Sequence, residues 1–212
     1  MKQFGQERDL KILDLISHGK AFTRPQIEQI IFPHIKLGAR QRKANARLKK
    51  MIDQKMIKSQ PYFPNPYFYV TKPKQIDHTL IINDVYCSLL KQKKSSWYKI
   101  DFRWRYEIFG GMVVADALII IDTLPDGKGR QVIFLEVERS PSKRFDKDVQ
   151  YKRVYDSDYS KEEWCVMRGD IAQFPSILIV TDEKLKIESS LRFIVATPEQ
   201  VKKDVYSLIL RR

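Results

Sequence analysis

The sequence predicts two units in series, α/β in class and α+β overall: a small, basic, mostly helical unit over residues 1–75, and an α/β sandwich around a mixed central sheet over residues 76–212. Three observations predict this. The formal charge of +13 is concentrated at the front: residues 1–74 carry sixteen Lys and Arg against five Asp and Glu, and the remainder is near neutral. Helical apolar spacing fills the first third. Further on, two apolar runs, Met112–Ile121 and Gln131–Val137, flank a Pro-Asp-Gly turn at Pro125–Gly127, the signature of a hairpin.

Composition is that of a globular protein. No apolar run approaches the roughly 20 residues a membrane span needs. The N-terminus, MKQFGQERDL, has no apolar core of a signal peptide, so a cytoplasmic protein with no membrane partner is expected. Cys87 and Cys165 lie far apart, and His18, His34 and His78 are scattered, which argues against a structural zinc site.

In the first unit, residues 7–20 read as a helix with Leu10, Leu13 and Ile16 or Leu15 inward and Gly19 as C-cap. Thr23 is a good N-cap for a second, short helix, with Pro25 in its first turn and Pro33 beyond its end. A third helix runs from about Leu37 to Lys55. Its apolar face is Ala44, Leu48, Met51 and Ile52; its other face carries Arg40, Arg42, Lys43, Arg47, Lys49 and Lys50. Two short strands follow around Phe63–Pro66, the first containing Lys58. Three helices and then a hairpin is the order of a winged helix-turn-helix, whose third helix enters the major groove. Those seven basic residues are the expected contacts to double-stranded DNA, with phosphates supplying most of the affinity. A homodimer on a palindrome is compatible with this fold, although no dimerisation helix demands it.

Residues 72–75 form a basic, Pro-containing linker. A helix over 76–92 opens the second unit, with Asp77 as N-cap and Leu80, Ile81, Val85 and Leu89 on one stripe. Then come a strand over 97–109, the hairpin, a helix over 142–160, a strand over 174–182, a short helix over 183–190, a strand over 191–198 and a terminal helix from Pro198. Trp97, Trp104 and Trp164 read as core or domain-interface residues rather than base-stacking platforms, and His78 and Asp84 as structural ones.

The hairpin carries acids: Asp116 inside one run, Glu136 and Glu138 at the end of the other. A carboxylate in a buried strand costs several kcal/mol unless it is paired, protonated or on a metal. Glu136 and Glu138 share a strand face, and Asp116 lies across the hairpin from Glu136. Mg²⁺ takes one or two carboxylates with waters and phosphates, so Asp116 and Glu136 are candidate ligands and Glu107 a further one, or else a partner for Arg103, Arg105 or Arg139. A lysine above such a site neutralises phosphate or orients the water. Lys147 and Lys152 are candidates; five residues apart, they do not share a helix face. The alternative is a network of ion pairs with no chemistry.

Asp116, Glu136-Val137-Glu138 and a lysine on the next helix resemble the PD-(D/E)xK nuclease core. The ordered set of Thr23–Ile30, Ala46–Met51, Tyr67–Thr71, Ile82–Asp84, Arg105–Glu107, Ala115–Ala117, Leu135–Arg139 and the Lys-and-Tyr helix resembles the replication-relaxation family of bacterial plasmids, phages and conjugative elements. The resemblance implies a winged helix joined to a PD-(D/E)xK-like domain. It implies a role in element replication and DNA relaxation, and partners among replication or relaxosome proteins. Two positions depart from the pattern: Ala115 stands where the motif has proline, and Glu138 where it has the strand lysine. The catalytic set it implies is Asp116, Glu136 and Glu138 with Lys147 or Lys152. It leaves open both a Mg²⁺-dependent nickase and a non-catalytic regulator on a degenerate nuclease fold.

Overall fold

A computed structural model describes residues 2–93, 96, 98–123, 129–139, 145–166 and 173–210; for residues 2–5 and 166 it describes the backbone alone. The chain is mixed α+β and divides into two compact units, Met1–Lys91 and Gln92–Arg212.

The first unit runs α1 (Lys2–Gly19), β1 (Ala21–Thr23), α2 (Arg24–Ile31), α3 (Leu37–Asp53), β2 (Lys58–Gln60), β3 (Tyr67–Tyr69) and α4 (Ile76–Lys91). The three strands form an antiparallel sheet in the order β1-β3-β2. α1 buries Ile12, Leu15 and Ile16, at i, i+3 and i+4, while Leu10 is exposed. The inward stripe is therefore rotated from the Leu10–Leu13 face expected from spacing. The β1 segment was too short to leave a periodic signal. α2 begins as expected: the Thr23 amide donates to Gln26 Oε1 at 2.8 Å.

The boundary between the units falls after Lys91, whereas the sequence pattern places it near residue 75. The reason is polar as well as apolar. α4 buries Leu80, Val85 and Leu89, but it also buries Asn83. The Asn83 amide donates to the carbonyls of Gly19 (2.9 Å) and Ala21 (2.5 Å), and Gln26 Nε2 donates to the Leu80 carbonyl and Asp84 Oδ1. Those bonds tie α4 to the α1–β1 corner and to α2. Gly19 is needed there because a Cβ would lie 2.4 Å from the Phe22 ring and 2.8 Å from Asn83 Oδ1.

The second unit runs β4 (Lys99–Ile108), a 3-10 turn (Phe109–Gly111), β5 (Val113–Asp122), β6 (Arg130–Val137), α5 (Lys147–Tyr155), α6 (Glu163–Val166), β7 (Ser176–Val180), β8 (Phe193–Ala196) and α7 (Pro198–Ile209). The sheet order is β4-β5-β6-β7-β8, antiparallel from β4 to β6 and parallel from β6 to β8. The expected turn at 125–127 and the start of the helix at 142–144 lie outside the described residues, as does Trp97. The hairpin register is nevertheless held by Asp122 and Arg130, cross-strand partners joined at 2.6 and 2.9 Å through two parallel bonds. Leu118, Ile120, Val132, Phe134, Ile177 and Ile179 form one apolar cluster with Phe145, Tyr151 and Val154, the last two from α5, and with Trp164. Each such side chain contributes about 1.5–3 kcal/mol by leaving water.

The expected helix over 142–160 ends early, at Tyr155, and two further elements depart from the pattern. Residues 183–190 are irregular rather than helical: Leu185 and Ile187 both pack on the same cluster, and the Glu183 amide is taken by Thr181 Oγ1. α7 is broken at Asp204, whose φ of −159° is extended. The Gln92 side chain mends the break. Its amide nitrogen donates to the carbonyls of Val201 and Lys202, and its oxygen accepts from the Val205 amide at 2.6 Å.

Asn83→Ala leaves two buried carbonyls without their donor. A loss of about 1–3 kcal/mol is expected, measurable as a lower urea midpoint; an unchanged midpoint would show that the Asn83 bonds do not help hold α4.

Candidate functional site

The central feature is a fork between β5 and β6. Their ladder runs from Asp122↔Arg130 to Ala117↔Leu135 and stops there. One step further, the same register sets Asp116 against Glu136, as the hairpin length predicts. At that step a side chain takes over from the backbone: Asp116 Oδ2 accepts from the Val137 amide at 2.7 Å. Glu136 lies on the face that α5 covers and is 2 % exposed. Its Oε1 accepts from the Tyr151 hydroxyl at 2.7 Å, and its Oε2 from Lys147 Nζ at 2.6 Å. Lys147 also donates to the Val114 carbonyl at 2.9 Å, so one ammonium bridges both arms of the fork.

The electrostatics follow from burial. Loss of water drives the Glu136 carboxyl from about 4.5 up to about 7; the Lys147 ammonium opposes the rise, the Asp116 charge adds to it, and the two hydrogen bonds oppose it. The Tyr151 phenol is pushed well above its usual range, first by burial and then by the Glu136 charge. Both shifts have the same first cause, burial of the two groups against each other under α5.

The two candidate lysines separate. Lys147 meets Glu136, whereas Lys152 pairs with Asp156 at the end of α5 and lies over the Tyr155 ring, 5.0 Å from its centroid. Glu138 stands just past the end of β6, half-buried, its amide donating to the Val180 carbonyl at 3.0 Å. Glu107 is exposed on β4 and faces Arg105 at 3.7 Å. Among the described residues, no three His, Cys, Asp or Glu side chains come together as a metal-binding group, so Glu107 does not complete a three-ligand set. Asp116 and Glu136 remain as carboxylates on adjacent strands, each already accepting hydrogen bonds from protein donors.

Sequence reasoning missed Tyr151 as the second anchor of Glu136. Its spacing of four from Lys147 places both on one helix face, and that signal was legible.

On the first unit, α3 buries Ala44, Leu48 and Met51, with Ile52 half-buried. At about 100° per residue, Arg42, Lys43, Lys49 and Lys50 fall on the opposite face around Ala39 and Ala46, and all four are exposed. Lys58 is exposed on β2. Arg40 and Arg47 differ from expectation: both work inside the fold. Arg40 donates to the carbonyls of Ile35 (3.0 Å) and Pro33 (3.2 Å), closing the α2–α3 loop. Arg47 makes a two-pronged pair with Asp9 of α1.

No protein-family model, curated protein or solved structure matches this chain. Among the described residues, no helix is long and apolar enough to cross a membrane.

Glu136 binds its proton more tightly when folded than when unfolded. Its contribution to stability is therefore full below about pH 4.5 and is lost as pH rises through about 7. Relative to Glu136→Gln, the wild type should lose stability across that window in thermal melts. A difference that is flat or grows with pH would refute the assignment.

Proposed function

We propose that this chain is a DNA-binding protein of a bacterial mobile element, acting in element replication and DNA relaxation. In this reading a winged helix forms the first unit and a PD-(D/E)xK-like domain the second. The observation that carries the DNA-binding reading is the cationic face of α3, displayed within a helix–strand–helix–helix–strand–strand order on a β1-β3-β2 sheet. That order is the one a winged helix uses, and the exposed Arg42, Lys43, Lys49 and Lys50 stand where a groove-entering helix meets phosphates. The replication role rests on the ordered motif resemblance.

The convergence of Asp116, Glu136 and Lys147 at the β5–β6 fork supports a Mg²⁺-dependent nickase. A Mg²⁺ held by Asp116 and Glu136 would lower the pKa of its water and offset charge on the phosphate. The chain's own residues do the rest. The Val137 amide fixes the Asp116 carboxylate, Tyr151 fixes the Glu136 carboxylate, and the Lys147 ammonium supplies positive charge beside the scissile phosphate.

Specific observations favour a second reading, a non-catalytic replication accessory or transcription regulator. Both Glu136 oxygens are engaged by protein donors, no third acid joins the pair among the described residues, and Glu138 occupies the place of the motif lysine.

Supercoiled plasmid incubated with the protein and Mg²⁺ separates these readings. A nickase converts it to open circles, and Asp116→Ala or Lys147→Met slows this by about 10²-fold or more. Protein that binds duplex yet leaves plasmid intact in both Mg²⁺ and Mn²⁺ is the regulator.

Replacing Arg42, Lys43, Lys49 and Lys50 together by Gln should weaken duplex binding at least about tenfold near 100 mM salt, in fluorescence anisotropy. Undiminished affinity would remove α3 from the interface.

A further inference from the structure

We infer that the groove between α1 and α3 is a second contact surface for the same duplex, gripping the sugar-phosphate backbone beside the stretch that α3 faces. This rests on the DNA-binding reading and adds a helix and a residue to it that sequence spacing did not indicate. The groove encloses about 380 Å³ and is lined by Arg8, Phe32, Lys43, Ala46, Arg47 and Lys50. Its floor is buried: Phe32 is 3 % exposed, and the Arg8 guanidinium carbon sits 5.5 Å above the centre of its ring. A guanidinium over an aromatic ring gains cation–π attraction and still has donors to offer phosphate oxygens.

The charge balance selects an anion. Of the two α1 acids near it, Asp9 is spent on Arg47, a pair that builds the groove wall, and Glu7, whose charge also reaches Arg8, is paired with Lys11 at 2.9 Å. Arg8, Lys43 and Lys50 are all exposed and all cationic. Ala46 between them leaves room for a chain of atoms to come close. The geometry also selects a polymer over a small ion. Lys43 and Lys50 belong both to the groove and to the outward face of α3, which also carries Arg42 and Lys49. An occupant of the groove is therefore continuous with whatever that face touches, as a nucleic-acid strand is.

The test is fluorescence anisotropy on the full chain with a random duplex of about 30 base pairs, over a salt series of about 50–300 mM. Removing one phosphate contact lowers the magnitude of the slope of log K against log salt by about one and weakens binding alike on all sequences. Arg8→Gln should do this, with a several-fold loss of affinity near 100 mM, while Arg8→Lys restores most of the slope. Lys186→Gln, on the second unit, serves as the control, and thermal melts check that each variant folds. A wild-type slope for folded Arg8→Gln overturns the groove and leaves the α3 interface standing. Competition by about 10 mM inorganic phosphate that Arg8→Gln abolishes, with no change in the duplex slope, assigns the groove to a free anion and overturns the proposal. Wild-type protein that binds no duplex at any salt overturns the DNA-binding reading, and the groove falls with it.

Discussion

The second unit depends on one constraint: the Glu136 carboxylate is buried in a row of aliphatic side chains and must be satisfied there. An isolated charge in that place costs several kcal/mol. The fold answers with two donors from one helix, Tyr151 and Lys147, each taking one oxygen. Their requirement places α5, a helix of nine residues that is too short to be stable alone. Tyr151 and Val154, both fully buried, anchor the same helix in the apolar cluster. Polar and apolar demands on α5 therefore agree. The fork between β5 and β6 follows from the same requirement, since Lys147 reaches the Val114 carbonyl and Asp116 reaches the Val137 amide where the strand ladder ends.

The first unit solves a related problem with neutral groups. Gln26 and Asn83 are buried amides whose donors close the corner between α1, β1, α2 and α4. Asn83 sits where its amide meets two carbonyls at once, which is why α4 belongs to this unit. The basic residues then divide by geometry. Arg40 and Arg47 lie toward the packed side of α3 and find carbonyls and Asp9; Arg42, Lys43, Lys49 and Lys50 lie opposite and remain exposed. A helix rich in cations thus splits between internal braces and an outward cationic surface.

Much of this was legible from residue order. The N-cap at Thr23, the inward Ala44, Leu48 and Met51, and the pairing of Asp116 with Glu136 across the hairpin all follow from local chemistry or strand alternation. The misjudged places share a cause. Leu10 and Leu13 are spaced as well as Ile12, Leu15 and Ile16, and only the neighbouring elements decide which stripe turns inward. Residues 183–190 have helical composition, yet Leu185 and Ile187 gain more by packing on an existing cluster. The break at Asp204 depends on Gln92, more than a hundred residues earlier, and no local pattern reports such a partner.

By itself, the sequence determined the separation of a cationic front from a neutral remainder, the mixed helix and strand content, and the placing of acids at the end of a buried hairpin. Those are properties of residue type and short-range spacing. Tertiary structure alone decided that Lys147 rather than Lys152 meets Glu136, that Tyr151 is the second anchor, and that Arg47 is a brace while Arg8 lines a groove. Each of those depends on which atoms from distant segments come within about 3 to 4 Å. Helical phase narrows that choice, but only packing against the sheet and the neighbouring helix resolves it.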